Sequence, residues 1–265
     1  MDNRPIGVFD SGLGGLTAVK QLMSVMPNED IVYFGDTGRV PYGNRSRETI
    51  IRYTKDDINF LLEHNIKIII AACGTASSVA LPYIEDVGVK VIGVLEPACH
   101  AAVKRSKNGK IGVIGTAGTI KSDKYAQIIS SIDPSARVYS AACPMFVPIV
   151  ENGYADTEVA RMVARDYLTG LKNEGVDTLI LGCTHYPLLE GVIGDIMGED
   201  VQLISSGREA AEYSKKLLDR ENLLADREDE GRCEFFVSDS TESFAQLGGL
   251  FLGKEIKLNV HRTKI

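Results

Sequence analysis

The sequence repeats itself at long range, and that repeat limits the fold more than any other feature of the chain. Lys110-Ile111-Gly112-Val113-Ile114-Gly115-Thr116 echoes Pro5-Ile6-Gly7-Val8-Phe9-Asp10-Ser11 at an offset of 105 residues. Thr178-Leu179-Ile180-Leu181-Gly182-Cys183-Thr184 echoes Ile68-Ile69-Ile70-Ala71-Ala72-Cys73-Gly74-Thr75 at 110, and 201–204 matches 89–92 at 112. Near-constant spacing over three elements predicts two copies of one unit, roughly 1–97 and 98–207, with 208–265 packing back on one of them.

Within each copy, short β-branched runs alternate with longer amphipathic stretches. Strands are expected at 6–9, 31–34, 66–71, 90–95, 111–114, 137–140, 178–181, 201–204, 234–237 and 255–260. Several are apolar almost without alternation, as strands covered on both faces of a parallel sheet are. Helices are expected at 47–64, 157–174 and 210–224. The alternation of strand and helix predicts an α/β protein with mainly parallel sheets flanked by helices.

Composition narrows the partners. Lys plus Arg is 29 and Asp plus Glu is 36, a formal net charge of −7, which argues against a general affinity for nucleic acid or an anionic membrane surface. No apolar run approaches the ~20 residues of a membrane span, and the short polar start lacks a secretory signal, so a cytoplasmic protein is expected. Five cysteines, an odd number with no C-x-x-C pair, predict free thiols rather than a disulfide framework or a structural zinc site.

Two of those thiols occupy matching positions of the repeat. Cys73 and Cys183 each follow an apolar strand, where the carboxyl ends of parallel strands form a ligand crevice. If the copies face one another about a pseudo-twofold axis, the two thiols stand on opposite walls of one cleft. Inversion of a stereocentre needs that arrangement, with one thiolate removing a Cα proton and the opposed thiol supplying another. An ordinary thiol pKa of ~8.5 lets both forms be reached near neutral pH. Asp10, at the end of the first strand, and His185, two residues past Cys183, are the groups expected to tune the thiols. Ser11, Thr75, Thr116 and Thr184 offer hydroxyls at four strand ends, and the loop 35–43 is expected to rim the cleft. Cys99, Cys143 and Cys233 have no such match and are expected only to pack.

Other chemistries fit poorly. The loop Gly12-Leu13-Gly14-Gly15 breaks the dinucleotide pattern at Thr17. There is no phosphate loop, no lysine at these strand ends for a pyridoxal Schiff base, and no further ligand to complete a metal site of Cys73, Cys183 and His185. No cofactor is expected.

The chain resembles the glutamate racemases of the cofactor-independent aspartate/glutamate racemase superfamily. The matching segments are Phe9-Asp10-Ser11-Gly12-Leu13-Gly14-Gly15-Leu16, Tyr33-Phe34-Gly35-Asp36-Thr37, Val40-Pro41-Tyr42-Gly43, Cys143-Pro144-Met145-Phe146-Val147-Pro148 and Leu181-Gly182-Cys183-Thr184-His185-Tyr186-Pro187-Leu188-Leu189. The resemblance implies two pseudo-symmetric α/β domains with the active site between them, 1–97 plus 208–265 and 98–207. It implies interconversion of L- and D-glutamate, with the D-isomer supplied to peptidoglycan. By the same resemblance, Cys73 would be the base for D-glutamate and Cys183 for L-glutamate, assisted by Asp10, His185 and Glu151. Substrate contacts would come from Asp10, Ser11, Pro41, Tyr42, Gly43, Gly74, Thr75, Thr116, Thr184 and His185. One position departs from the pattern, since Gly74 stands where the family usually has asparagine. The short lead into the first strand leads us to expect no N-terminal regulatory extension. The expected partner is a small-molecule substrate, glutamate, with a homodimer left open. Competing expectations are an aspartate racemase or a one-thiol decarboxylase of the same fold, or a non-catalytic amino-acid-binding protein.

Overall fold

Ile6-Gly7-Val8-Phe9-Asp10 is buried at all five positions, a pattern a strand tolerates only where both of its faces are covered. In the computed structural model, which describes residues 1–253 and 260–265, this run is β1 (Ile6–Asp10), flanked by β2 (Ile31–Gly35) and β3 (Ile68–Ala71), with β4 (Lys90–Gly93) beyond β3. A second sheet is built from β5 (Lys110–Gly115), β6 (Arg137–Ala142), β7 (Thr178–Leu181) and β8 (Gln202–Ser205). β9 (Cys233–Val237) and β10 (Val260–Arg262) extend the first sheet beyond β2.

The strand orders are β10-β9-β2-β1-β3-β4 and β6-β5-β7-β8, and every described pairing is parallel. The order β2-β1-β3-β4 is thus repeated as β6-β5-β7-β8, so the sequence echo is a topological one. Register agrees, with Ile6 opposite Ile68 in one sheet and Ile111 opposite Thr178 in the other. The expected fold, parallel sheets flanked by helices, is the fold observed.

Most elements shift from expectation by one or two residues at an end, β3 starting at Ile68 and the first long helix stopping at Leu62. The strand expected at 90–95 stops at Gly93, because the Val94 N–H donates to the Ser77 hydroxyl and Leu95 already opens a helix, Leu95–Arg105. The helix expected at 210–224 runs Ser206–Arg220. It starts early because the Ser206 hydroxyl donates to the Leu181 carbonyl, and a left-handed Asn222 follows its end. Of the strand expected at 255–260, residues 255–259 lie outside the described residues. Among the described residues, no helix is long and apolar enough to cross a membrane.

The helix Ser206–Arg220 packs on both Leu16–Val25 and Leu95–Arg105, bridging the two halves. A buried ion pair then fastens the chain that follows it. The Lys67 ammonium lies 2.6 Å from Glu29 and donates to the carbonyls of Asp2 and Leu223, while Glu29 accepts the Ala225 N–H. Both side chains are almost fully buried, so removing one partner strands the other's charge in a low-dielectric interior. Lys67→Met should therefore cost ~3–5 kcal/mol in chemical denaturation, and adding Glu29→Leu should recover most of the loss.

Candidate active site

The carboxyl ends of β1, β3, β5 and β7 point toward one another, and the residues just past them enclose a cavity of about 40 Å³. Cys73 lies two residues beyond β3 and Cys183 two beyond β7, and both line this one space. Ser11, Pro41, Tyr42, Gly43, Gly74, Thr75, Thr116, Thr184 and His185 line it with them. Asp10 and Glu151 stand behind the wall, reaching it through Thr184 and His185. The cavity has room for about three water molecules at ~10–15 Å³ each, and the two cysteines are only 5% and 9% exposed. The thiols are shielded from solvent, while Val40 and Pro41 at the rim are exposed.

On the first wall, the Cys73 thiol donates to the Ser11 hydroxyl at 3.4 Å and accepts the Ala76 N–H at 3.5 Å. Burial, and then the charge of Asp10, push this thiol up to about 12. Asp10 is itself buried, which raises its carboxyl. The positive charge of His185 and hydrogen bonds from the N–H groups of Gly15 and Gly12 and the Thr184 hydroxyl oppose the rise.

On the second wall, Cys183 faces His185 Nδ1 at 3.9 Å, and His185 Nε2 donates to Glu151 at 2.9 Å. Burial alone would lower the imidazole. The hydrogen bonds to Cys183 and Glu151, with the attraction of their negative charges, outweigh it and push His185 up to about 10. An imidazolium is therefore held against the Cys183 sulfur at neutral pH. The Phe251 ring packs edge-on to His185 with centroids 5.2 Å apart, and the Thr17 hydroxyl donates to the Thr184 carbonyl at 2.8 Å.

Where Gly74 departs from the resemblance, the geometry supplies a reason. A Cβ at Gly74 would run into the carbonyl oxygen of Gly182. Both atoms belong to backbone, so no side-chain rotation relieves the clash and only separating the two walls would. In place of a longer side chain, the Thr75, Thr116 and Thr119 hydroxyls form a triangle with edges of 2.9, 3.0 and 3.4 Å.

Several members of this site escaped sequence reasoning. Thr119 sits three residues after Thr116, whose hydroxyl caps the helix Ala117–Lys121 by accepting the Thr119 N–H, and the T-x-x-T spacing is the signal that could have found it. Val147 and Gly182 also line the cavity, while Val40 lines it from the loop 35–43 expected to rim the cleft. Thr17 and Phe251 reach the site only through tertiary contacts that no local pattern announces. Tyr42 lines the cavity, but its hydroxyl points away to Asp36 and Asp57, so its side-chain oxygen is not at the site. Cys99 and Cys143 are buried, and burial pushes both thiols up to about 12.

Overpacking by one Cβ costs ~1–3 kcal/mol. Gly74→Ala should therefore weaken the closed cleft and speed alkylation of Cys73 by a small thiol reagent roughly tenfold, as followed by mass spectrometry.

The Asp/Glu/Hydantoin racemase family model matches residues 19–213. A glutamate racemase of Streptococcus pneumoniae is 48% identical over 259 residues, spanning 97% of this chain and 97% of its own length. The crystal structure of a glutamate racemase isoform from Bacillus anthracis superposes with a TM-score of 0.96 at 39% identity, covering 100% of this chain and 99% of that one. That of a glutamate racemase from Francisella tularensis, in complex with D-glutamate, gives 0.91 at 38% identity, covering 100% and 98%. With this similarity along nearly its whole length, the chain belongs to the Asp/Glu/hydantoin racemase family, alongside the glutamate racemases, and is a racemase of the isomerase class.

Proposed function

We propose that the chain interconverts L- and D-glutamate without a cofactor, by proton transfer between Cys73 and Cys183 across the substrate. The observation that carries this reading is that both thiols line one small cavity. The similarity to glutamate racemases supports the substrate.

In the L-to-D direction, the Cys183 thiolate takes the α-proton of L-glutamate, and the resulting carbanion takes a proton from the Cys73 thiol on its opposite face. The electron pair left on Cα forms the new C–H bond, and the enzyme finishes with a thiol at Cys183 and a thiolate at Cys73. The resting electrostatics favour this start. Cys73, held up to about 12, keeps its proton, while the His185 imidazolium stands beside Cys183. Hydroxyls of Ser11, Thr75 and Thr184 are the donors available to the substrate carboxylates, and stabilising charge that develops at the α-carboxylate is the contribution such donors make. Asp10 would serve the thiol at Cys73 as His185 serves Cys183.

Entry of an amino acid requires the walls to part, and the units expected to move are 1–97 plus 208–265 and 98–207. A D-amino-acid product made in the cytoplasm suits bacterial peptidoglycan synthesis.

In heavy water, D-glutamate formed from L-glutamate should carry solvent deuterium at Cα from the first turnovers, while unreacted L-glutamate keeps its proton, as read by proton NMR. Cys73→Ser and Cys183→Ser should each lower kcat by roughly 10²–10⁴-fold. A variant with wild-type turnover would remove its cysteine from the mechanism.

The pH profile gives an independent check. His185 is protonated below about 10 and loses its proton above it, so kcat/KM for L-glutamate should fall as pH rises through that value. Glu151→Gln removes one of the interactions holding the proton, so this limb should move to lower pH.

A further inference from the structure

Behind the cavity-lining turn 40–43 lies a buried cluster with more carboxylates than cations. Asp36 and Asp57 are fully buried and share the Arg39 guanidinium, which donates from Nε to Asp36 at 2.6 Å and from Nη2 to Asp57 at 3.1 Å. Its third nitrogen, Nη1, meets Asp56 on the solvent side at 2.7 Å. The Tyr42 hydroxyl lies within hydrogen-bond distance of both buried carboxyl groups, Oδ2 of Asp36 and Oδ2 of Asp57, the latter at 2.9 Å.

A phenol has one proton to donate. Two ionised carboxylates facing one phenolic oxygen would leave one contact with no hydrogen in it, and a second buried negative charge without a cation. The contacts are satisfied together only if one carboxyl carries a proton and donates to the Tyr42 oxygen. Asp36 also accepts from Arg39 and from the Ser238 hydroxyl at 2.8 Å, so the phenol donates to Asp36 and the extra proton belongs on Asp57. Electrostatics agree, since burial and then the charge of Asp36 push the Asp57 carboxyl well above the usual carboxylate range, against the pull of Tyr42 and Arg39.

We propose that Asp57 is a positioning residue of the racemase site, its carboxylic acid proton completing a donor chain from Asp57 to Tyr42 to Asp36 that fixes the turn 40–43. The turn is a point of contact between the walls. Gly43 packs against Thr116 so closely that a Cβ there would lie 3.1 Å from the Thr116 Cβ, and one on Gly118 would lie 2.9 Å from the Gly43 carbonyl oxygen. Where Tyr42 is held therefore decides where Gly43 meets Thr116.

The kinetic part of the test rests on the glutamate reading; the spectroscopic part does not. Asp57→Asn keeps both roles, its amide donating to Tyr42 and its carbonyl accepting from Arg39, and should keep KM and kcat within about twofold of wild type. Asp57→Leu and Tyr42→Phe each break the chain and should raise KM for L-glutamate roughly tenfold, the worth of one or two lost hydrogen bonds, with a much smaller effect on kcat. The infrared carbonyl band of a protonated carboxyl should be present in wild type and missing from Asp57→Asn. An Asp57→Asn enzyme as impaired as Asp57→Leu, or a missing band in wild type, would overturn the proton. Wild-type KM in Tyr42→Phe would overturn the positioning role, even if Asp57→Leu fails to fold. A wild-type chain inert toward glutamate would refute the functional reading instead, while the infrared band would still decide the proton.

Discussion

At Gly74 and Gly182 two peptide backbones touch with no side chain between them, and the geometry of the site follows from that contact. Each glycine adjoins a cavity cysteine, so the distance between the two thiol-bearing loops is set by rigid peptide rather than by rotamers. Gly14 makes a second close approach, to side chains rather than to backbone, since a Cβ there would run into the Thr184 hydroxyl and the His185 ring. Thr17, three residues on, donates to the Thr184 carbonyl and ties the same two loops together. Backbone packed on backbone has no soft coordinate.

The repeated strand order accounts for the symmetry of the cavity, and differences at equivalent positions account for its polarity. Aligning the two copies sets Asp10 against Gly115 and Thr75 against His185. The first copy thus places a carboxyl near its thiol, while the second has no acid at that strand end and places an imidazole there. Like charge near Cys73 favours its protonated form, and opposite charge faces Cys183. Two identical side chains on matching strands thus stand in different surroundings, one near a buried carboxyl and one beside an imidazole, in a medium that screens poorly.

Much of this could be read along the chain, because buried parallel strands announce themselves. β7 falls at 178–181 as expected, and the long helices 47–62 and 158–173 differ from expectation only at fraying ends. Cys73, Cys183 and the strand-end hydroxyls were legible because a repeat supplies a second reading of every position. What failed to show depends on contacts between distant segments. The 90–95 run is apolar to its end, yet its last residues leave the sheet for a hydrogen bond to Ser77. The orientation of the Tyr42 hydroxyl is decided by Asp57, fifteen residues away on a helix. A glycine in place of asparagine reads as a lost contact, and only the Gly182 carbonyl reveals it as a condition of closure.

The segment after the repeat, 208–265, has no counterpart in the other half, yet both walls lean on it. Ser238, just past β9, accepts the Gly38 N–H and donates to Asp36, which bears on the turn 40–43. Phe251, on the helix Thr241–Leu252, packs edge-on against His185 and so restricts the ring whose two nitrogens face Cys183 and Glu151. An imidazole rotated about its own axis would lose one of those partners, and the interactions that raise its pKa would weaken with it. The two repeated halves bring the thiols together, but holding the second wall's imidazole in line depends on the segment outside the repeat.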